Sequence, residues 1–234
     1  MKTTKRAKVI TPLVDKTKTY SLKDAISILK KAPKLKFDET VEIAVMLTVD
    51  PKQSQSASIR GTVSLPHGTG KKVRVAVFCK GEEERRAKEA GADFVGAEEL
   101  VAKVQGGWCD FDVAIATPDM MREMAKLGKI LGPRGLMPNP KSGTVTQDTA
   151  KTVKEVKAGK IEFKMDKQAG IHAPLGKLSF TESALYENGK LLIDTIMMTT
   201  PQGSSPVWQN VRSLFITTTM GPGIKLDLSE FKKA

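Results

Sequence analysis

The sequence predicts an α/β (α+β) chain of two domains, one split and the other inserted within it. Three observations predict this. Strict apolar–polar alternation marks strands near both ends of the chain. Continuous apolar strands alternate with helices in the middle, as in a parallel sheet with helices on its faces. Turns rich in Gly and Pro, or a closing Gly, separate the two regimes. The 234 residues, 40% of them hydrophobic, suffice for two cores and exclude a disordered chain.

Residues 1–19 are basic and Thr-rich and read as a tail or packed arm. Ser21 followed by Asp24 resembles a capping box, and Leu22, Ala25, Ile26 and Leu29 share a helical face, so 22–32 is predicted helix, ended by Pro33. Val41, Ile43, Val45, Leu47 and Val49 alternate with Glu42, Ala44, Met46 and Thr48. That period of two predicts a strand with one buried and one solvated face, in an antiparallel sheet covered on one side. Residues 51–58 form a polar loop, and 59–65 a second strand interrupted by Gly61. The turn-rich stretch 66–72 marks the first boundary.

Residues 73–78 then read as a strand buried on both faces. Helix 82–90, a short strand at 94–95, helix 98–104, strand 111–116 and amphipathic helix 119–130 follow. A stiff basic loop spans 132–141, and helix 149–158 is closed by Gly159. Alternation returns at 161–165, followed by a long helix at 181–199 and strands at 213–219 and 224–228. The expected organisation is a discontinuous β-α-β domain over 1–67 and 160–234, holding a three-layer, Rossmann-like α/β domain over 68–159.

Charge narrows the function. Lys and Arg total 38 against 26 Asp and Glu, giving a net charge of +12. The three stretches carry +7, +3 and +2 in chain order, so the excess concentrates at the N-terminal side. Such a chain seeks a polyanion. No apolar run is long enough to span a membrane, no basic amphipathic helix with aromatic anchors occurs, and the first residues lack a secretory core. Aromatics at 5% are too few for a repeated base-stacking platform, which leaves phosphates, shape and 2′-hydroxyls, as in structured RNA. Two cysteines, Cys79 and Cys109, exclude a disulfide framework and fit a reducing compartment.

Candidate motifs have bland alternatives. Gly68-Thr69-Gly70-Lys71 lacks phosphate-loop spacing and precedes a strand, so it reads as a basic turn. Arg134 and Lys141, in the proline-stiffened loop, are either secondary RNA contacts or surface residues. His67 and His172 have no second ligand at metal spacing; His172 reads as a turn histidine or an RNA contact. Met120 and Met124 share a helical face and read as core. Thr217-Thr218-Thr219-Met220-Gly221-Pro222 is either strand filler and a turn, or a set of hydroxyls and amides that reads ribose. No catalytic constellation, metal site or cofactor site emerges.

The same residues resemble the large-subunit ribosomal protein L-one family, in its bacterial and organellar branch. The resemblance runs from about Tyr20 to Leu228. It is carried by Lys36-Phe37-Asp38-Glu39-Thr40-Val41-Glu42, Arg60-Gly61-Thr62-Val63-Ser64-Leu65-Pro66-His67-Gly68 and Ala90-Gly91-Ala92-Asp93. Ala116-Thr117-Pro118-Asp119, Leu131-Gly132-Pro133-Arg134-Gly135-Leu136-Met137-Pro138-Asn139-Pro140-Lys141, Gly170-Ile171-His172-Ala173-Pro174 and Thr218-Thr219-Met220-Gly221-Pro222 complete it. The resemblance implies an inserted-domain fold whose split domain holds the main RNA site. Lys36, Phe37, Thr40 and Glu42 would sit at the first sheet's edge, beside Ser213, Thr217, Thr219, Met220 and Gly221. Lys164, Lys167 and His172 would extend the surface. Lys36, Lys164 and Lys167 would engage phosphates. Glu42 would accept a hydrogen bond from a 2′-OH or base amine, and Thr217, Thr219 and the Gly221 amide would complete the network behind Phe37 and Met220. Two departures stand out: residues 51–59 carry no acidic residue, and Pro206 occupies a turn near 205–208 where the family has Lys-Gly.

By this resemblance the chain is a structural, non-enzymatic constituent of the large ribosomal subunit. Its implied partners are the stalk of large-subunit rRNA, exit-site tRNA whose release it assists, and its own operon mRNA, which it represses. It is expected to be a monomer when free, cytoplasmic (or in an organelle stroma) and ribosome-associated, without cofactor, membrane or small-molecule substrate. The inserted domain would move about crossings near Gly68 and Gly159. The rival is an α/β enzyme binding a nucleotide or phosphorylated substrate, motivated by the parallel sheet and the Gly68 and Gly132 loops.

Overall fold

The computed structural model describes residues 5–15, 17–48, 59–199 and 211–231; the segments at 51–58 and 205–208 lie outside them. The helices are α1 (Lys5–Ile10), α2 (Leu22–Lys31), α3 (Glu82–Glu89), α4 (Glu98–Gln105), α5 (Met121–Ala125), α6 (Gly128–Leu131), α7 (Thr149–Ala158) and α8 (Glu182–Thr199). The strands are β1 (Thr40–Leu47), β2 (Arg60–Ser64), β3 (Val75–Phe78), β4 (Phe94–Gly96), β5 (Val113–Ala116), β6 (Lys160–Lys164), β7 (Gly170–Lys177), β8 (Val211–Thr218) and β9 (Ile224–Lys225). The chain is a two-domain α/β protein. Its contacts group Met1–Gly70 with Ile161–Ala234 in one unit and Lys71–Lys160 in the other.

In the first unit, β7, β1, β8 and β9 form an antiparallel sheet in that order, and β2 pairs with β6. The alternation of β1 works as its sequence dictates. Val41, Ile43, Val45 and Leu47 enter a core with Ile171, Leu175, Leu214 and Ile216. Leu22, Ile26 and Leu29 of α2, and Leu185, Leu192, Ile193 and Ile196 of α8, close it. The Ser21 hydroxyl caps α2 by accepting from the Asp24 amide at 3.1 Å. The other sheet face, with Glu42, His172, Phe215 and Lys225, is exposed.

In this unit two elements differ from the sequence reading. Residues 170–177, read as a turn around His172, are strand β7, hydrogen-bonded along the whole of β1. Pro174 disguises it: a proline is tolerated because β7 lies at the sheet edge, where a register shift between Val41 and Glu42 sets Glu42 opposite Pro174. Residues 5–10, read as part of a tail or arm, form helix α1.

In the second unit, β4, β3 and β5 form a parallel sheet. β3 is buried on both faces. Ala76 and Phe78 pack with Leu100, Val104, Met120 and Met124, while Val75 and Val77 pack with Ala87, Val153 and Val156. Helices therefore cover each face, and the two methionines are core. The expected single helix at 119–130 is a 3-10 turn at Pro118–Met120 followed by α5 and α6. Gly128 sits where the helix breaks, as its poor helix propensity favours.

Candidate nucleic-acid interface

The surface begins where α2 stops. Pro33 turns the chain, and 34–38 present Lys36 and Phe37 to solvent, Phe37 being 53% exposed. Asp38 fastens this segment by accepting from the Ser179 amide at 3.1 Å and the Ser179 hydroxyl at 2.6 Å. Thr40 opens β1. Its amide donates to Thr219 Oγ1 at 3.0 Å, and its carbonyl accepts from the Thr219 amide at 3.0 Å. The Thr40 hydroxyl accepts from Lys177 Nζ at 2.9 Å. Glu42, exposed, lies opposite Thr217.

Strand β8 ends in the turn that completes this edge. The Gly221 amide donates to the Thr218 carbonyl at 3.0 Å. Gly221 itself is required sterically, because a Cβ there would strike Thr218 Oγ1. The turn leaves Met220 63% exposed, beside the residues contributed by 36–42.

Behind the turn lies Glu39, 2% exposed. Its Oε1 accepts from Arg6 Nη2 at 2.7 Å; its Oε2 accepts from Thr218 Oγ1 at 2.7 Å and the Met220 amide at 3.0 Å. Burial alone would push this carboxyl up. The hydrogen bonds from Arg6, Thr218 and Met220, with the Arg6 charge, outweigh it and hold Glu39 below the usual carboxylate range. Glu39 is thus an anion that fixes the turn from inside.

These distances show three groups engaged within the protein. The Gly221 amide, expected to face ribose, is used within its own turn. Thr219 Oγ1 is likewise engaged by the Thr40 backbone, and Thr217 Oγ1 donates to the Thr218 carbonyl at 3.1 Å. These hydroxyls shape the edge, and the groups left facing outward are the Glu42 carboxylate, the Lys36 ammonium, Phe37 and Met220.

The remaining site residues are spread along the sheet. His172 lies opposite Ala44 and Ser213 opposite Met46. Ser213 is therefore not beside Thr40 but six positions along β1, roughly 20 Å at strand rise. Lys167 occupies the turn that leads into β7 at that far end; Asp166 Oδ1 fixes it by accepting from the Gln168 amide at 2.8 Å and the Gly170 amide at 2.6 Å. Lys164 is exposed on β6. Arg134 and Lys141, both exposed, belong to the other unit, where the Asn139 side chain accepts from the Lys141 amide at 2.9 Å.

Sequence reasoning missed Glu39, Arg6, Phe215 and Lys225. The signal for Glu39 was present: extending the odd-numbered apolar positions of β1 back by two places it on the buried face. Phe215 and Lys225 pair across β8 and β9 on the open face, with Phe215 37% exposed.

Among the described residues no group of His, Cys, Asp and Glu fits a metal. Burial, reinforced by Glu84 and Glu83, pushes the Cys79 thiol up to about 11, which makes it a poor nucleophile. His67 Nε2 pairs with Glu187 at 2.7 Å on the surface. Among the described residues no helix is long and apolar enough to cross a membrane.

Fold and surface together define a class: a basic α/β protein of two units, one split by the other, with an exposed end of its antiparallel sheet built from both halves of the split unit. Known proteins place it further. Residues 29–222 match the model of the Ribosomal protein L1p/L10e family. The chain is also 53% identical over 226 residues, covering 97% of it and 94% of the relative, to the large ribosomal subunit protein uL1 of Protochlamydia amoebophila. The chain belongs to this family, and is a structural protein of the large ribosomal subunit.

Proposed function

We propose that the split unit binds the stalk of large-subunit rRNA directly, through the edge formed by 36–42 and 217–221. The observation that carries this is the exposure of Met220, on a turn locked from behind by a buried carboxylate, and of Phe37, on the segment that Asp38 fastens to Ser179. An exposed apolar pair held this rigidly is pre-organised for a partner. Lys36 supplies a point charge for phosphate, and Glu42 an acceptor suited to a 2′-OH. Lys164, Lys167, His172 and Ser213 extend the contact along the sheet. In this reading the protein performs no catalysis and needs no cofactor, and is a cytoplasmic monomer when free.

The finer roles follow the family resemblance. The domain over 68–159 adds contacts through Arg134 and Lys141 and moves about its two chain crossings. Exit-site tRNA is a second partner, whose release the protein assists. The operon mRNA is a third, bound and repressed through the same edge.

The test is binding to a stalk rRNA fragment and to a scrambled duplex across a salt series. A stalk preference that persists at high salt supports structured readout. Equal, steeply salt-dependent binding to both removes it. Met220→Asp is expected to fold normally and to weaken stalk binding at least about tenfold, since its carboxylate would face phosphates. Near-normal binding by that variant would sink the assignment of this edge.

A further inference from the structure

The Arg6–Glu39 pair joins parts of the chain that are distant in sequence. Arg6 is on α1, and Glu39 stands immediately before β1. The groups on the other Glu39 oxygen, Thr218 Oγ1 and the Met220 amide, are 179 and 181 residues away. Arg6 is not placed as a phosphate contact. Its side chain is 21% exposed, and its Nε and Nη1 are buried without a partner among the described residues. A guanidinium that meets RNA keeps its fork open for bidentate bonding. This one is turned inward on a carboxylate.

A largely buried ion pair contributes little net stability over apolar packing, because both charges must be desolvated. What it can supply is geometry. Arg6 Nη2 on one carboxylate oxygen, with Thr218 Oγ1 and the Met220 amide on the other, makes three donors converge on Glu39 from both ends of the chain. We propose that Arg6 and Glu39 are positioning residues for RNA binding: α1 clamps the 218–221 turn from inside, so the N-terminal helix belongs to the binding machinery without touching RNA. This rests on the reading of that turn as the RNA-binding edge.

The experiment uses the full chain. Arg6→Met keeps the side-chain length without charge, and Arg6→Lys restores the charge. Two quantities are read: affinity for the stalk rRNA fragment across a salt series, and hydrogen exchange of the Met220 amide by NMR without RNA. Arg6→Met is expected to weaken binding about tenfold, the effect of losing a charged hydrogen bond. The slope of log K against log salt should not change, and Met220 exchange should quicken relative to the Ile43 amide in the core. Arg6→Lys should recover most of both. The double variant Arg6→Met/Glu39→Gln should bind no more weakly than Glu39→Gln alone, because paired residues are not additive. If Arg6→Met does not fold, Arg6→Gln, which removes the charge and keeps one donor group, carries the same comparison against wild type with the same expected losses.

A slope reduced by roughly 0.7–0.9 with unchanged Met220 exchange would make Arg6 a phosphate contact and overturn the proposal. Unchanged affinity and exchange would overturn it too. Absence of stalk-specific binding by the wild type would remove the functional reading alone; Met220 exchange then upholds or overturns the clamp by itself.

Discussion

Gly221 has no room for a side chain, and the atom in the way is Thr218 Oγ1, the hydroxyl that donates to Glu39. Gly221→Ala should therefore break the Thr218–Glu39 bond or displace the turn. We expect stalk binding to weaken at least about tenfold, with a stability loss near 1–2 kcal/mol. Filter binding and thermal melting on one preparation check this; an intact affinity would show that the turn can give way. Glu39 itself makes stability depend on pH. Its folded value lies below its unfolded value of 4.5, so its contribution is complete above about pH 4.5 and is lost as pH falls through the lowered folded value. The stability gap between wild type and Glu39→Gln should be full near neutrality and close on acidification. Urea titrations between pH 3 and 7 measure it, and a gap constant over that range would contradict the assignment. At this scale the sequence exposed the residues that point outward. Lys36, Phe37, Glu42 and Met220 were legible because motif and chemistry coincide there. Glu39 lay within the same motif and was passed over, since charge suggests exposure and only the period of β1 argues for burial.

Elements were legible where one physical signal dominated. β1 alternates between a packed and a solvated face, and β3 is apolar throughout because helices cover both its faces. β7 was hidden because Gly170, Pro174 and Gly176 are turn residues, and only its edge position explains them. Helix α8 shows the reverse case, a long helix containing a glycine. Gly189 is buried, and a Cβ there would come within 3.3 Å of the Leu22 side chain, so the residue marks the close approach of α2 and α8. Its neighbour Asn188 is fully buried and ties three segments together. It accepts from the His67 amide at 3.2 Å and donates to the Gly68 and Leu175 carbonyls at 3.0 and 2.7 Å. Asn188→Ala would leave these backbone groups without their partner. The expected cost is about 2 kcal/mol, or roughly 5 °C in Tm for a unit of this size. Urea denaturation checks it; a loss under about 0.5 kcal/mol would mean that water replaces the side chain.

Over the whole molecule, the net charge of +12 predicts a polyanionic partner but says nothing about which cations meet it. The structure sorts them. Arg6 is committed to Glu39, Lys177 to Thr40, and Lys160 to Glu155 at 3.0 Å. In the second unit Lys71 pairs with Asp112, Lys80 with Glu98 and Lys157 with Asp93. Exposed pairs of this kind are individually weak, yet their acids offset the field that a phosphate would feel. Lys36, Lys164 and Lys167 stand exposed at the sheet edge, on β6 and before β7. If RNA lies along the sheet between these points, each releases counterions on binding. Lys36→Ala, Lys164→Ala and Lys167→Ala should then each reduce the slope of log K against log salt by roughly 0.7–0.9. Lys80→Ala and Lys157→Ala should leave it unchanged, although every one of the five removes one positive charge. A salt series on this set separates position from net charge. Equal slopes for all five would mean that the RNA responds to total charge alone, and the sheet edge would lose its claim to be where binding occurs.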